Sequence, residues 1–139
     1  MRDFNQLSGA WIGWSIQYGL RITETIQLTI NKGRIFGTGK DKDGEFEIVG
    51  AYIERKEEVL ITRTYTWTTE PSQSGVGIPY EYVGTWDGNF VSGEWFPRRY
   101  PDMDGGPFEM WPGGDEEELR IQFEDVVEAE APLLVGPRV

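Results

Sequence analysis

Apolar and polar residues alternate along most of the first 112 residues, in runs separated by short turn-forming motifs. The motifs are Asn31-Lys32-Gly33, Asp43-Gly44, Arg55-Lys56-Glu57 and Asp87-Gly88-Asn89. Alternation with a period of two is typical of strands with one buried face, and turns of the Asx-Gly type join antiparallel neighbours. The pattern predicts eight strands, over residues 10–18, 21–31, 33–40, 45–54, 58–69, 80–87, 90–97 and 107–112.

Hairpin loops of two or four residues keep one face continuous from strand to strand, because directly opposed residues share a face. If every tight turn has such a loop, one face includes Trp11, Glu24, Ile48 and Arg63 and extends to Trp67. That face is the more apolar one and is rich in Gly, as expected inside a tightly coiled barrel. The predicted fold is all-β: a single eight-stranded antiparallel up-and-down barrel over residues 1–112.

The opposite face of strand one carries an apolar row, Ile12, Trp14 and Ile16, where other strands carry Thr. A row of that size predicts that something covers it. One candidate is the acidic C-terminal segment, residues 113–139, in which apolar residues between 119 and 127 fit a helix, or alternatively a ninth strand. The other candidate is a second copy of the chain, so a homo-oligomer through the outer face of strand one is the alternative.

The composition excludes several classes of function. The chain has 139 residues and six Trp but neither Cys nor His. Disulfide frameworks, thiolate nucleophiles and imidazole ligands for haem or zinc are therefore excluded, and we expect no cofactor. The net charge of −11 argues against nucleic acid as a partner. No apolar run is long enough to span a membrane and no signal-peptide pattern is present, so we expect a cytoplasmic protein.

Two charged residues, Glu24 and Arg63, fall on the predicted inner face, where a charge needs a partner. One interpretation is that Arg63 holds the carboxylate or phosphate of a ligand. The other is that it pairs with Glu24, or stacks on Trp11, and closes one end of the barrel. Hydroxyl, amide and indole groups suited to ligand contacts are supplied by Ser15, Gln17, Tyr52, Tyr65, Tyr82 and Trp95.

Two acidic turns, Asp41-x-Asp43-Gly44 and Asp102-x-Asp104-Gly105, offer oxygen atoms of the kind that calcium accepts. Neither turn has the ligand spacing of an EF-hand loop, and bare hairpin turns use the same residues. The sequence therefore predicts no metal site.

Gly9-Ala10-Trp11, at the start of a predicted meander of eight strands, resembles the calycin superfamily, in particular the lipocalins and avidins. The stretch Ile48-Val49-Gly50-Ala51-Tyr52 is similar to the Gly-x-Tyr of an early avidin strand. The resemblance implies an up-and-down barrel with a pocket open at one end, used to bind small molecules. It does not imply biotin, because this chain has Gly13 where avidins place the Asn that holds biotin's ureido oxygen.

We therefore predict a non-catalytic barrel that binds a small apolar or amphipathic molecule, with an anionic end held by Arg63. The first alternative is a protein-interaction module that uses the barrel as a scaffold and Ile12, Trp14 and Ile16 as its surface. The second is a hydrolase or isomerase that uses interior carboxylates such as Glu24.

Overall fold

The computed structural model of the protein describes residues 2–100 and 105–113. Consecutive strands pair antiparallel and the last pairs with the first, so the sheet is a closed up-and-down barrel. The eight-stranded fold predicted from the alternating pattern is confirmed, and each predicted strand bound lies within a single residue of the observed one. The strands are β1 (Gly9–Gln17), β2 (Leu20–Asn31), β3 (Arg34–Asp41), β4 (Gly44–Ile53), β5 (Glu58–Thr68), β6 (Pro79–Trp86), β7 (Val91–Pro97) and β8 (Gly106–Pro112).

The tight turns have the even loop lengths on which the assignment of faces depends. Residues 18–19, 32–33 and 42–43 form two-residue loops, and residues 54–57 and 87–90 form four-residue loops. Lys32 and Gly33 have φ values of 50° and 81°, the left-handed pair that a type I′ hairpin turn requires. The inner face is continuous as predicted, with Trp11, Glu24 and Arg63 all buried.

Trp67 was predicted to point inward, and this prediction is wrong. The β4–β5 register shifts next to Phe46: Phe46 pairs with Tyr65, but Glu45 pairs with Trp67, so Thr66 is an extra residue. Such a bulge reverses which face the following residues occupy. Trp67 is consequently 49% exposed, and Thr68 is turned into the barrel with an exposure of 5%.

The outer row of β1 is largely covered. Ile12 lies outside the hydrophobic core of the barrel but is only 1% exposed. Trp14 and Ile16 are half-buried, and the guanidinium of Arg21 lies 4.5 Å from the Trp14 ring centroid. The helix or ninth strand predicted to cover this row falls in residues 114–139, outside the described residues.

One end of the barrel is closed by the chain that precedes β1. Phe4, in the 3-10 helix Phe4–Gln6, is fully buried and packs on Trp11, Tyr52 and Trp86, with ring centroids 4.6–5.6 Å away. The indole N–H groups of Trp11 and Trp86 donate to the carbonyls of Leu7 and Arg2, at 2.7 and 2.9 Å. Any interior space can therefore open only at the other end. Among the described residues, no helix combines the length and apolar character that a membrane crossing needs.

Candidate functional site

A cavity of about 210 Å³ lies at the open end of the barrel. It is surrounded by the β1–β2 and β3–β4 turns, by the loop between β5 and β6, and by the inner residues of β5, β6 and β7. The residues that line it are Gln17, Tyr18, Asp43, Tyr65, Thr68, Thr69, Glu70, Ser74, Gly75, Tyr80, Tyr82 and Trp95.

Four aromatic side chains form the wall of this cavity. Tyr65 and Tyr80 meet edge to face with ring centroids 6.3 Å apart, and Tyr80 meets Trp95 in the same way at 6.0 Å. Trp95 stacks on Tyr82 at 6.3 Å, and its indole N–H donates to the carbonyl of Ile16 at 3.0 Å. Because each ring is held by the next, the wall is formed before any ligand arrives.

A buried ion pair lies in the barrel interior below this wall. Both terminal nitrogens of Arg63 donate to Glu24, Nη1 to Oε2 and Nη2 to Oε1, the latter at 3.0 Å. The guanidinium carbon lies 4.0 Å from the ring centroid of Tyr82 and 4.6 Å from that of Phe46. Exposure is 2% for Glu24 and 3% for Arg63, and neither residue lines the cavity. Of the two interpretations of Arg63, the structure therefore shows the one in which Arg63 pairs with Glu24.

Burial governs the titration of this region. Burial raises the pKa of Glu24, an effect that the neighbouring Arg63 opposes. Burial alone would lower the pKa of Arg63, but Glu24 outweighs it, so the pKa of Arg63 is raised and its guanidinium stays charged. Burial also raises the pKa values of Tyr65 and Tyr82. Both phenols are therefore neutral hydrogen-bonding groups at physiological pH.

Asp41 holds the β3–β4 turn together. Its Oδ1 accepts from the amides of Asp43 and Gly44, at 2.8 and 3.1 Å, and its Oδ2 accepts from the Tyr65 hydroxyl at 2.5 Å. Burial raises the pKa of Asp41, and its hydrogen bond from Tyr65 opposes that rise. No group of three or more carboxylates within the described part of the chain is arranged to hold a metal ion.

Thr68 lines the cavity and carries a buried hydroxyl that makes no hydrogen bond within the described residues. Its backbone is held by Gln73, whose Oε1 accepts from the Thr68 amide at 3.2 Å and whose Nε2 donates to the Thr68 carbonyl at 2.7 Å. The Oγ1 atom is buried and has no hydrogen-bond partner in residues 2–100 and 105–113. A buried polar atom without a partner is costly, so a ligand group that reached this hydroxyl and hydrogen-bonded to it would be stabilised.

The structure brings together part of the predicted site. Gln17, Tyr65, Tyr82 and Trp95 line the cavity. Three predicted residues lie in the interior and do not line it, namely Ser15, Glu24 and Arg63, while Tyr52 lies at the closed end against Phe4.

Tyr80 and Thr68 are among the cavity residues that sequence reasoning did not propose. Tyr80 lies two positions before Tyr82 on the same face, so extending the alternation by one step would have found it. Thr68 faces inward only because of the bulge at Thr66, for which the sequence carries no clear signal.

Comparison with known protein families, curated proteins and solved structures found no match. What the geometry defines is a closed eight-stranded antiparallel barrel, compatible with a calycin-like fold, that has one closed end and one open end.

Proposed function

We propose that this protein is a non-catalytic barrel that binds a small molecule in the cavity at its open end. The observation that carries the proposal is the cavity itself, which has four aromatic walls and an unpartnered hydroxyl, Thr68 Oγ1. A small-molecule site of the calycin type would occupy this position. The cavity is smaller than the roughly 300–1,000 Å³ typical of sites for drug-sized ligands, so the ligand is small.

A larger depression, of about 420 Å³, is a weaker candidate. It lies over β2, β3 and β4 and is lined largely by outward Thr, Lys and Glu residues such as Thr25, Lys40 and Glu47. Ligand sites are generally lined by apolar and aromatic side chains with a few polar groups. The open-end cavity has that character, so we place the site there.

The two alternative functions receive less support. An interaction module that used Ile12, Trp14 and Ile16 would need them accessible, but Ile12 is buried and the other two are half-buried. A hydrolase or isomerase that used Glu24 would need that carboxylate in a wet cleft, but Glu24 is buried and paired with Arg63. The same pairing removes Arg63 as an available partner for the anionic end expected from the sequence.

The test is a titration of ¹⁵N-labelled protein with a fragment library that contains neutral, anionic and cationic compounds. The indole N–H of Trp95 reports on the cavity, while those of Trp11 and Trp86 report on the closed end, and all three are hydrogen-bonded. We expect at least one fragment to shift the Trp95 and Gly75 resonances and to leave the other two indoles unchanged. If every fragment that binds shifts only residues of the outer face, the proposal is wrong.

A pair of loop variants controls this test. Ser74 and Ser72 are both exposed residues of the β5–β6 loop, but only Ser74 lines the cavity. Ser74→Trp fills the mouth and is expected to abolish fragment binding, whereas Ser72→Trp adds the same side chain outside the cavity and is expected to preserve it. Equal binding by both variants would place the fragment elsewhere.

A further inference from the structure

The charge inside the open end does not favour an anion. The one cation buried beside the cavity, among the described residues, is Arg63, and both of its terminal nitrogens donate to Glu24. Its guanidinium also packs against the rings of Tyr82 and Phe46. A ligand carboxylate would have to displace Glu24 to reach it, leaving a buried carboxylate unpaired.

The cavity lining itself is acidic. Asp43 and Glu70 line it, and of its described lining residues none is Lys or Arg. Lys42 contacts Asp43 at 3.1 Å, but both side chains are largely exposed, so this contact screens Asp43 only weakly. Asp41 adds a third carboxylate behind Tyr65. The charges that face the cavity therefore favour a positively charged guest.

The wall of the cavity is of the kind that binds cations. Four neighbouring aromatic rings line one small space, and a cation within about 6 Å of a ring face is attracted by the ring quadrupole. Tyr82 already holds the Arg63 guanidinium in this way, with the guanidinium carbon 4.0 Å from its ring centroid.

Thr68 supplies a directional acceptor to accompany the rings. Its Oγ1 is buried at the cavity and without a partner in the described part of the chain, and its backbone is fixed by Gln73. A hydroxyl oxygen accepts a hydrogen bond from an ammonium N–H. The unpartnered state of this oxygen supports a hydrogen-bond donor as ligand independently of the acidic residues.

We propose that the cavity binds a small organic ammonium ion, with its charge among Tyr65, Tyr80, Tyr82 and Trp95 and an N–H donated to Thr68. The inference rests on the proposed function and names the chemical class of its ligand. The acidic mouth draws the cation in, and the aromatic wall replaces part of its hydration shell.

The test compares three probes of one shape: benzylammonium, benzyl alcohol and benzoate. Each is titrated into ¹⁵N-labelled protein at low salt while the Trp95 indole N–H is followed. We expect benzylammonium to bind about tenfold more tightly than benzyl alcohol, and benzoate to bind more weakly than either.

Two pairs of variants locate the effect. Glu70→Gln and Glu47→Gln each remove one negative charge, but Glu70 lines the cavity whereas Glu47 lies on the outer face. We expect Glu70→Gln to weaken benzylammonium binding several-fold and Glu47→Gln to leave it nearly unchanged. Thr68→Val, which replaces the hydroxyl with a methyl group of similar size, should also weaken it, whereas Thr66→Val on the exposed bulge should not.

The outcomes separate this inference from the proposed function. If benzyl alcohol or benzoate shifts Trp95 at equal or lower concentration than benzylammonium, the cavity is a binding site but the cationic ligand is wrong. If benzylammonium at millimolar concentration leaves Trp95 unmoved, the inference is also wrong, and the fragment library then decides the proposed function independently.

Discussion

Removing one member of the Arg63–Glu24 pair should destabilise the protein in a way that depends on which member is removed. In Glu24→Leu the guanidinium is left buried without its carboxylate, and it cannot lose its proton. Both residues are at most 3% exposed, so the value for buried pairs applies, a loss of about 3–5 kcal/mol in the free energy of unfolding.

Arg63→Met leaves a carboxylate instead, and a carboxylate can take up a proton. From the ordinary Glu24 value of 4.5, protonation at pH 7 costs about 3.4 kcal/mol, at about 1.36 kcal/mol for each pH unit. At pH 4.5 that cost falls to about 0.4 kcal/mol. We therefore expect the free energy of unfolding of Arg63→Met to rise by about 3 kcal/mol between pH 7 and pH 4.5 through this carboxyl group, a larger rise than in the wild type. Glu24→Leu lacks the group and gains nothing from it.

The assay is urea denaturation at both pH values, followed by tryptophan fluorescence. The double variant Glu24→Leu/Arg63→Met should lie closer to the wild type than Glu24→Leu does, since it leaves no unpaired charge. Arg98→Met, which breaks an exposed pair with Glu81, is the control and should cost about 1 kcal/mol or less. A loss below about 1 kcal/mol in Glu24→Leu, or no acid recovery in Arg63→Met, would refute the reasoning.

Three further predictions test the β3–β4 turn, the Phe4 side chain that closes one end of the barrel, and the close approach of β4 to β5. Burial raises the pKa of Asp41 above its ordinary 3.8, so the folded state holds its proton longer and wild-type stability falls as pH rises from about that value. Asp41→Asn should reduce this slope in a pH series of urea curves, and an unchanged slope would contradict the assignment. Phe4→Ala should lower the free energy of unfolding by about 3–5 kcal/mol, because the fully buried ring at the closed end is lost. A loss no greater than that caused by truncating an exposed side chain would show that the closed end does not need Phe4. Gly50→Ala places a methyl group 2.1 Å from the Leu60 carbonyl oxygen, so we expect a lower melting temperature than for Val49→Ala on the exposed face of the same strand.

The fold was predictable because short-range signals fix it. Loops of even length join strands of clear alternation, and this pattern was enough to predict that Trp11, Glu24 and Arg63 are buried on one face. The prediction for Trp67 was wrong because a bulge depends on local hydrogen bonding between two strands, which alternation along one strand does not encode. The closure of one barrel end by Phe4 was also not predicted, since a single 3-10 turn has no periodicity to detect.

The candidate site was less predictable than the fold. Alternation assigns a residue to a face but gives no position along the barrel axis, so Tyr52 was grouped with residues at the opposite end. The sequence also left two interpretations of Arg63 open, because only the register of β2 and β5 around the barrel determines whether Glu24 can reach it. The inward position of Thr68 depends on the bulge at Thr66, and no other feature of the sequence indicates it.

The pairing of β8 with β1 has a consequence for folding kinetics. Every other strand pair joins neighbours in the chain, through connections of two to ten residues. The β1–β8 pairing instead joins Trp11 to Pro112 and Ser15 to Phe108, so its formation closes almost the whole barrel sequence. Because the entropy of closing a loop rises with its length, we expect the hairpins to form first and this pairing last. Substitutions on β8 should then speed unfolding and hardly slow folding, whereas substitutions in the β3–β4 hairpin should slow folding.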